Sequence, residues 1–322
     1  MIKNKRIMLT GGAGFIGTKI CMNLCKENQI IIYDSLRRNS IRDTDLLNHE
    51  NITLVQGDIL DLDTLKGTVS KFKPEIVVHL AAIAGIDTVI KNPVDTMKVN
   101  MIGTYNILEA IKDNVKQVDR FVDFSTSEVF GSYAYKVEES ATTNLAPVGE
   151  ARWTYSVSKL AGEHLTHSYN KEYGLPSVSI RPFNIYGPGQ IGEGAIHTFI
   201  LKALNNDEMQ IHGDGDQIRS WCYIDDFITG VMLCLEKDEA IGNSFNIGNP
   251  RGTVTISMLA EIIKRISGSK SSIAYVPKNY VDVELRIPSI DKAKVILGYE
   301  PKYDLSAGLE KTICWYRNHI NK

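Results

Sequence analysis

Through the first half of the chain the apolar residues fall in short, nearly unbroken runs. These alternate with segments whose apolar positions recur every three or four residues. An unbroken run is the pattern of a strand buried on both faces of a parallel sheet, and the longer period is that of a helix covering the sheet. The runs predict strands at Arg6–Thr10, Ile30–Asp34, Ile52–Val55, Ile76–Ala82, Arg120–Ser125 and Ser177–Arg181. The periodic segments predict helices at Gly14–Glu27, Asp61–Phe72, Pro93–Asp113 and Trp153–Tyr173. Strict alternation of the two predicts an α/β fold with a doubly wound parallel sheet.

After Pro182 the rhythm changes. Glycines and prolines thicken in RPFNIYGPGQIGEGA, and shorter elements come after it: a helix at Ile196–Asn205, a strand near Gln210–His212, a helix ending at Glu236 and an extended SFNIGN. This predicts a smaller C-terminal substrate-binding lobe. The expected division is 1–182 plus about 220–247 for the first domain, and 183–219 with 248–322 for the second. Composition narrows the choice of partners. A formal net charge of −2 gives no basis for binding nucleic acid or an anionic membrane. No apolar stretch approaches a membrane span, and the N-terminus does not read as a signal peptide. The five cysteines are odd in number and scattered, which predicts free thiols and a cytoplasmic location. The seven histidines lack metal-ligand spacing, so no metal site is expected.

The first strand runs directly into GGAGFIG. Gly11 and Gly12 allow a tight turn, Gly14 lets the backbone approach a pyrophosphate, and Gly17 lets helix and strand pack closely. The helix after the loop offers free N–H groups to an anion. The next strand ends in Asp34, near the spacing of a ribose-binding acid. Its carboxylate suits both ribose hydroxyls of NAD and would repel the 2′-phosphate of NADP, although Arg37 and Arg38 could serve that phosphate. The sheet is therefore expected to be of the Rossmann type.

The fifth strand ends in FSTSEVFG, at the edge where such sheets bind ligands. Ser125, Thr126, Ser127 and Glu128 should thus face the cofactor. Tyr155 and Lys159 come next, at i and i+4 on one face of a helix. A tyrosine ordinarily ionises near pH 10, and lowering that by three units takes about 4 kcal/mol. An ammonium at ~4 Å supplies roughly that much at an effective dielectric of 20.

With TGGAGFIG, Asp34, QGDI, LAA, STSEVFG, YSVSK and RPFNIYGP, the chain resembles the extended short-chain dehydrogenase/reductases over almost its whole length. The resemblance is to the NAD-dependent nucleotide-sugar epimerases, dehydratases and decarboxylases. It implies Tyr155 as the base, Lys159 as its cationic partner and ribose ligand, and Thr126 as donor to the reacting oxygen. It implies a cofactor cradle of Gly11, Gly14, Phe15, Ile16, Gly17, Asp34, Asp58, Ile59, Leu80, Ala81, Ala82 and Pro182, with Tyr155 and Lys159. Asn100 is implied as a structural residue beneath the site. Ser127, Asn184, Arg219 and Arg286 are implied as ligands of a UDP-sugar, and a homodimer as the assembly.

The resembled enzymes share a 4-keto intermediate with NAD recycled in place, and they differ in the chemistry between the two hydride transfers. Ser127 stands where the dTDP-glucose-type 4,6-dehydratases carry Asp, which disfavours that subgroup, while Thr-Ser-Glu is compatible with GDP-mannose 4,6-dehydratases and UDP-glucuronate decarboxylases. RWTYSVSK, SFNIGNP and DVELRIPSI resemble UDP-glucuronate decarboxylases, whereas PGQIGEGA is closer to UDP-glucuronate 4-epimerases. An ionised Glu128 would repel a uronate carboxylate and favour its loss, with Arg286 protonating C5 or positioning the donor. Decarboxylation is the expectation. Epimerisation, dehydration and an inactive NAD- or nucleotide-sugar-binding scaffold are the alternatives.

Overall fold

The computed structural model describes residues 2–145, 147–278 and 280–319. Positions 1, 146, 279 and 320–322 of the expected domains lie outside the described residues.

The predicted strands form. They are β1 (Arg6–Thr10), β2 (Gln29–Asp34), β3 (Ile52–Gln56), β4 (Ile76–His79), β5 (Arg120–Phe124) and, after β6 (Tyr133–Val137), β7 (Ser177–Pro182). With Asn243–Ile247 they make one seven-stranded sheet in the order Asn243–Ile247, β7, β5, β4, β1, β2, β3, all pairs parallel. Strand order reverses between β1 and β4, and a ligand crevice opens at such a reversal. The central strands carry Ile7, Leu9, Ile30, Ile32, Val78 and Val122 at 8% exposure or less, which is why their sequences read as unbroken apolar runs.

Helices α1 (Phe15–Leu24), α2 (Leu62–Phe72), α3 (Ile86–Lys91), α4 (Pro93–Met97), α5 (Gly103–Lys112) and α6 (Thr154–Tyr173) lie between these strands in sequence. Two expectations need correction here. The predicted strand Ile76–Ala82 ends at His79, because Leu80–Ala82 leave the sheet to run beside the glycine loop. The predicted helix Pro93–Asp113 is interrupted by a π-helical turn, Lys98–Ile102, which contains Asn100. Such single-turn π-bulges often mark functional sites.

The rest of the chain adds β8 (Ile185–Tyr186), α7 (Ala195–Asn205), β9 (Met209–His212), β10 (Ile218–Ser220), β11 (Cys222–Tyr223), α8 (Ile224–Glu236) and β12 (Asn243–Ile247). It closes with β13 (Thr253–Thr255), α9 (Ile256–Ser267), β14 (Ile273–Val276), β15 (Leu285–Pro288) and α10 (Leu305–His319). A second sheet has the order β13, β10, β15, β6. The five cysteines are unpaired. Among the described residues, no helix is long and apolar enough to cross a membrane, and no group of three His, Cys, Asp or Glu could hold a metal ion.

Candidate active site

The glycine loop lies at the end of β1. Gly11 has φ +70°, and a Cβ there would stand 2.6 Å from the Ala81 nitrogen. A Cβ on Gly17 would stand 2.5 Å from the Gly12 carbonyl. The loop therefore closes on itself and on the Leu80–Ala82 segment, and only glycine fits. Asp34, at 7% exposure, accepts from Ala13 N–H at 3.0 Å and Leu36 N–H at 2.7 Å. It thus holds the loop and the end of β2 together. Burial raises its pKa, with those two bonds opposing. A glycine cradle beside an acid at the sheet's reversal fits a dinucleotide. Phe15 and Ile16 begin α1, and Asp58 and Ile59 come after β3, where the Asp58 carbonyl accepts from the Tyr33 hydroxyl at 3.0 Å. Arg38, held in reserve for a 2′-phosphate, donates to the Ala84 carbonyl at 2.7 Å, while Arg37 is exposed.

Asn100 clamps the chain just past Ala82. Its amide accepts from Ile83 N–H at 2.8 Å, donates to Ile83 C=O at 3.0 Å and donates to Ser158 Oγ at 3.0 Å. The π-turn swings this side chain inward, so it joins the Leu80–Ala82 segment to α6. Glu193 accepts from Asp87 N–H at 2.7 Å and Thr88 N–H at 3.1 Å, tying the glycine-rich loop after β8 to the start of α3. Asn184, with φ +45°, donates to Ser220 C=O at 2.9 Å, one residue beyond Arg219.

Beyond β5 the chain turns through Ser127–Phe130, capped by Thr126, whose hydroxyl accepts from Glu128 N–H at 3.2 Å. This turn carries Thr126 and Glu128 to the first turn of α6. Thr126 is 6% exposed and Lys159 3%, and Tyr155 is half-buried. Burial raises the Tyr155 phenol above its ordinary value and the charge of Glu128 raises it further; the Thr126 hydroxyl, Arg152 and Arg286 oppose. Burial lowers the Lys159 ammonium, against Asp123 and Glu163.

Glu128 is the anion of a buried charge cluster. Arg152 grips it in two bonds, Nη1 to Oε2 at 2.7 Å and Nη2 to Oε1 at 2.9 Å. Ser156 Oγ donates to Oε2 at 3.1 Å, and Arg286 Nη1 lies 3.5 Å from Oε1. Against the penalty of burial, Arg152 and then Arg286 and Ser156 hold its carboxyl down to about 2. Asp282 bridges the other ends, to Arg152 at 3.2 Å and Arg219 at 3.3 Å. The second sheet explains the proximity, since β10 and β15 pair in parallel with Arg219 opposite Arg286. Burial pushes Arg286 down to about 10, against the pull of Glu128. Its Nε and Nη2, and Arg152 Nε, have no hydrogen-bond partner among the described residues. Three guanidiniums facing two carboxylates leave one net positive charge, with N–H groups free for an anion.

The structure thus brings together Thr126, Glu128, Tyr155 and Arg286, joined by Arg219. Sequence reasoning missed Arg152 and Asp282. Arg152 stood within the quoted RWTYSVSK, but its position three residues before the tyrosine carries no signal without the turn that brings Glu128 to it.

Residues 7–248 match the NAD dependent epimerase/dehydratase family. UDP-glucuronic acid decarboxylase 1 of Xenopus tropicalis is 30% identical, over 98% of this chain and 73% of that protein. dTDP-glucose 4,6-dehydratase 1 of Escherichia coli (strain K12) is also 30% identical, over 97% of this chain and 92% of that one. The solved structure of UDP-glucuronic acid 4-epimerase from Bacillus cereus with UDP-glucuronic acid and NAD has a TM-score of 0.88 and 31% identity, covering 97% of this chain and 99% of that one.

Proposed function

Because the chain belongs to the NAD dependent epimerase/dehydratase family, we propose that it oxidises a nucleotide sugar at C4 and decarboxylates it, with UDP-glucuronic acid as substrate. The observation that carries this reading is Glu128, kept ionised by Arg152 and Arg286 on the turn that holds Thr126 beside Tyr155.

NAD, when bound, would supply the hydride acceptor and donor for C4 and a pyridinium charge in addition to that of Lys159. Gly11, Gly14, Gly17 and Asp34 would hold it, with Leu80–Ala82 alongside. Tyr155 removes the C4 hydroxyl proton as the hydride leaves, while Thr126 holds the same oxygen. Burial and Glu128 oppose ionisation of the phenol while the Thr126 hydroxyl, Arg152 and Arg286 favour it; in this reading Lys159, one turn along the helix, adds the further positive charge that lets Tyr155 act as a base. Once C4 is a ketone, the C5 carboxylate can leave as CO₂, its electron pair passing into the carbonyl. Glu128 discourages the carboxylate from staying. Arg286, or a water it positions, returns the proton to C5. Arg219 and the unpartnered N–H groups of Arg286 suit the diphosphate.

A second reading has its own support. The net positive charge of the arginine cluster would retain a uronate carboxylate, as a 4-epimerase requires. Ser127, in the position of the dTDP-glucose-type dehydratase acid, speaks against 4,6-dehydration of that type. We also propose a homodimer, formed through the α5 and α6 surfaces that expose Tyr105 and Val157, and a cytoplasmic location. Sedimentation at micromolar concentration tests the dimer.

Incubation with UDP-glucuronic acid should release CO₂ and form a UDP-pentose by mass spectrometry. UDP-galacturonate without CO₂ would make the protein an epimerase. Turnover of a neutral hexose with no uronate activity would overturn both readings.

A further inference from the structure

β4, β5 and β7 place His79, Asp123 and Ser179 in register, so three polar side chains stand in a row across the middle of the main sheet. All three are 0% exposed. His79 is satisfied at both nitrogens, Nδ1 with Thr10 Oγ1 at 2.7 Å and Nε2 with Thr104 Oγ1 at 3.0 Å. Asp123 is not. Neither carboxylate oxygen has a well-formed hydrogen bond among the described residues, nor does the Ser179 hydroxyl beside it. A buried carboxylate without donors is costly unless a cation compensates it.

The candidates can be enumerated element by element. From α6, Lys159 attracts Asp123 and Glu163 repels it. Glu163 is already committed: Arg181 of β7 grips it at 2.8 to 3.1 Å, and Ser125 and Ser244 each donate to it at 2.5 Å. From β4, His79 is kept neutral by burial and by the charge of Lys159. Tyr155 lies one turn before Lys159 on α6. The cluster of Glu128, Arg152 and Arg286 acts on Tyr155 and is balanced within itself apart from its one surplus charge. α6 packs against β5, and Asp123 and Lys159 are both buried without a direct ion pair between them among the described residues, so Asp123 is the uncommitted acid of this layer and Lys159 the cation that acts on it across the helix–sheet boundary.

We infer that Asp123 is the buried counter-ion of Lys159, a positioning residue in the sheet that keeps the ammonium charged while Tyr155 exchanges its proton. The inference rests on the reading of Tyr155 and Lys159 as the proton-transfer pair. Asp123 reaches the chemistry only through Lys159. Burial pushes its carboxyl up to about 6, with Lys159 pulling it down, Glu163 pushing it up and the Ser179 hydroxyl lowering it least, so it is charged at neutral pH. Burial lowers the Lys159 ammonium, and Asp123 is the foremost influence opposing this.

The test has two arms. In infrared difference titration of the protein without substrate, the Asp123 carboxyl band, assigned by its loss in Asp123→Asn, should titrate near pH 6. In Lys159→Met its midpoint should rise by about one pH unit or more. An unmoved midpoint would overturn the pairing, whatever the activity. In the second arm, single-turnover NADH formation is followed against pH. Asp123→Asn and Asp123→Ser should both move the acid limb upward by about one unit, because a discharged Lys159 leaves the Tyr155 phenol harder to ionise. A rate lowered equally at every pH would mean a packing role and would also overturn the inference. Tyr155→Phe separates the two levels. If it transfers hydride normally, the base assignment fails and the infrared arm alone decides the pairing; if it is slow while the Asp123 variants keep the wild-type limb, only the counter-ion fails.

Discussion

Replacing Glu128 by Gln keeps the shape of the side chain and removes its charge from between Arg152 and Arg286. The carboxyl is held from 4.5 down to about 2 in the folded protein. That difference corresponds to about 3 kcal/mol at 1.36 kcal/mol per unit. Breaking a buried ion pair by removing one partner typically costs ~3–5 kcal/mol, which agrees. The folded pKa is depressed, so the contribution is complete above the unfolded value near 4.5 and is lost as pH falls toward about 2. Urea unfolding should therefore show Glu128→Gln less stable by about 3 kcal/mol at pH 7, with the gap to wild type narrowing below about pH 4.5. Chemically, the variant leaves the cluster with one more net positive charge, which would hold a substrate carboxylate more firmly. CO₂ release from UDP-glucuronic acid should slow more than the first hydride transfer, so NADH absorbance should build up before product appears. A stability loss below about 1 kcal/mol, or one independent of pH, would refute the electrostatic account. Equal slowing of both steps would refute the role of Glu128 in decarboxylation.

Tyr155→Phe should bind NAD normally, by calorimetry, and lose at least ~10²-fold in turnover. Asp34→Asn should weaken NAD relative to NADP, measured as the ratio of the two dissociation constants, since the repelling charge at the ribose is removed. Gly11→Ala should cost roughly 1–2 kcal/mol for the left-handed backbone alone, and more for the overlap with Ala81, lowering the melting temperature and weakening NAD together. Asn100→Ala should lower the melting temperature and raise the dissociation constant of NAD, because Ile83 loses both of its clamping bonds.

The main sheet was legible because strands buried on both faces carry few polar positions to interrupt their apolar runs. The glycine loop was legible because Gly11 and Gly17 are positions where a single added carbon cannot fit. The π-turn was not, since one extra residue in a turn hardly disturbs the spacing of Val94, Met97, Met101 and Ile107. Nor were β6, β10 and β15. Each is three to five residues long, and its partners are remote in sequence, so no local pattern announces it. Arg38 read as a possible phosphate ligand, but a basic side chain does not disclose that its partner is the Ala84 carbonyl. Asp123 lies inside the run RFVDF, where one acid among apolar residues reads only as a blemish in a strand. Its meaning comes from Lys159, which is 36 positions away in the chain.

The parallel pairing of β6 with β15, Tyr133 opposite Leu285, has a consequence for how the protein assembles. The two partners are separated by about half the chain, and closing so long a loop is slow and entropically unfavourable until the contact forms. During synthesis the glycine loop and its acid, Asp34, emerge early. The strand that brings Arg286 to Glu128 emerges near the end. A growing chain thus has its cofactor loop long before it can complete the charged cluster that governs the sugar carboxylate. In refolding, recovery of NAD binding should precede recovery of turnover, with the docking of β15 on β6 as the late event.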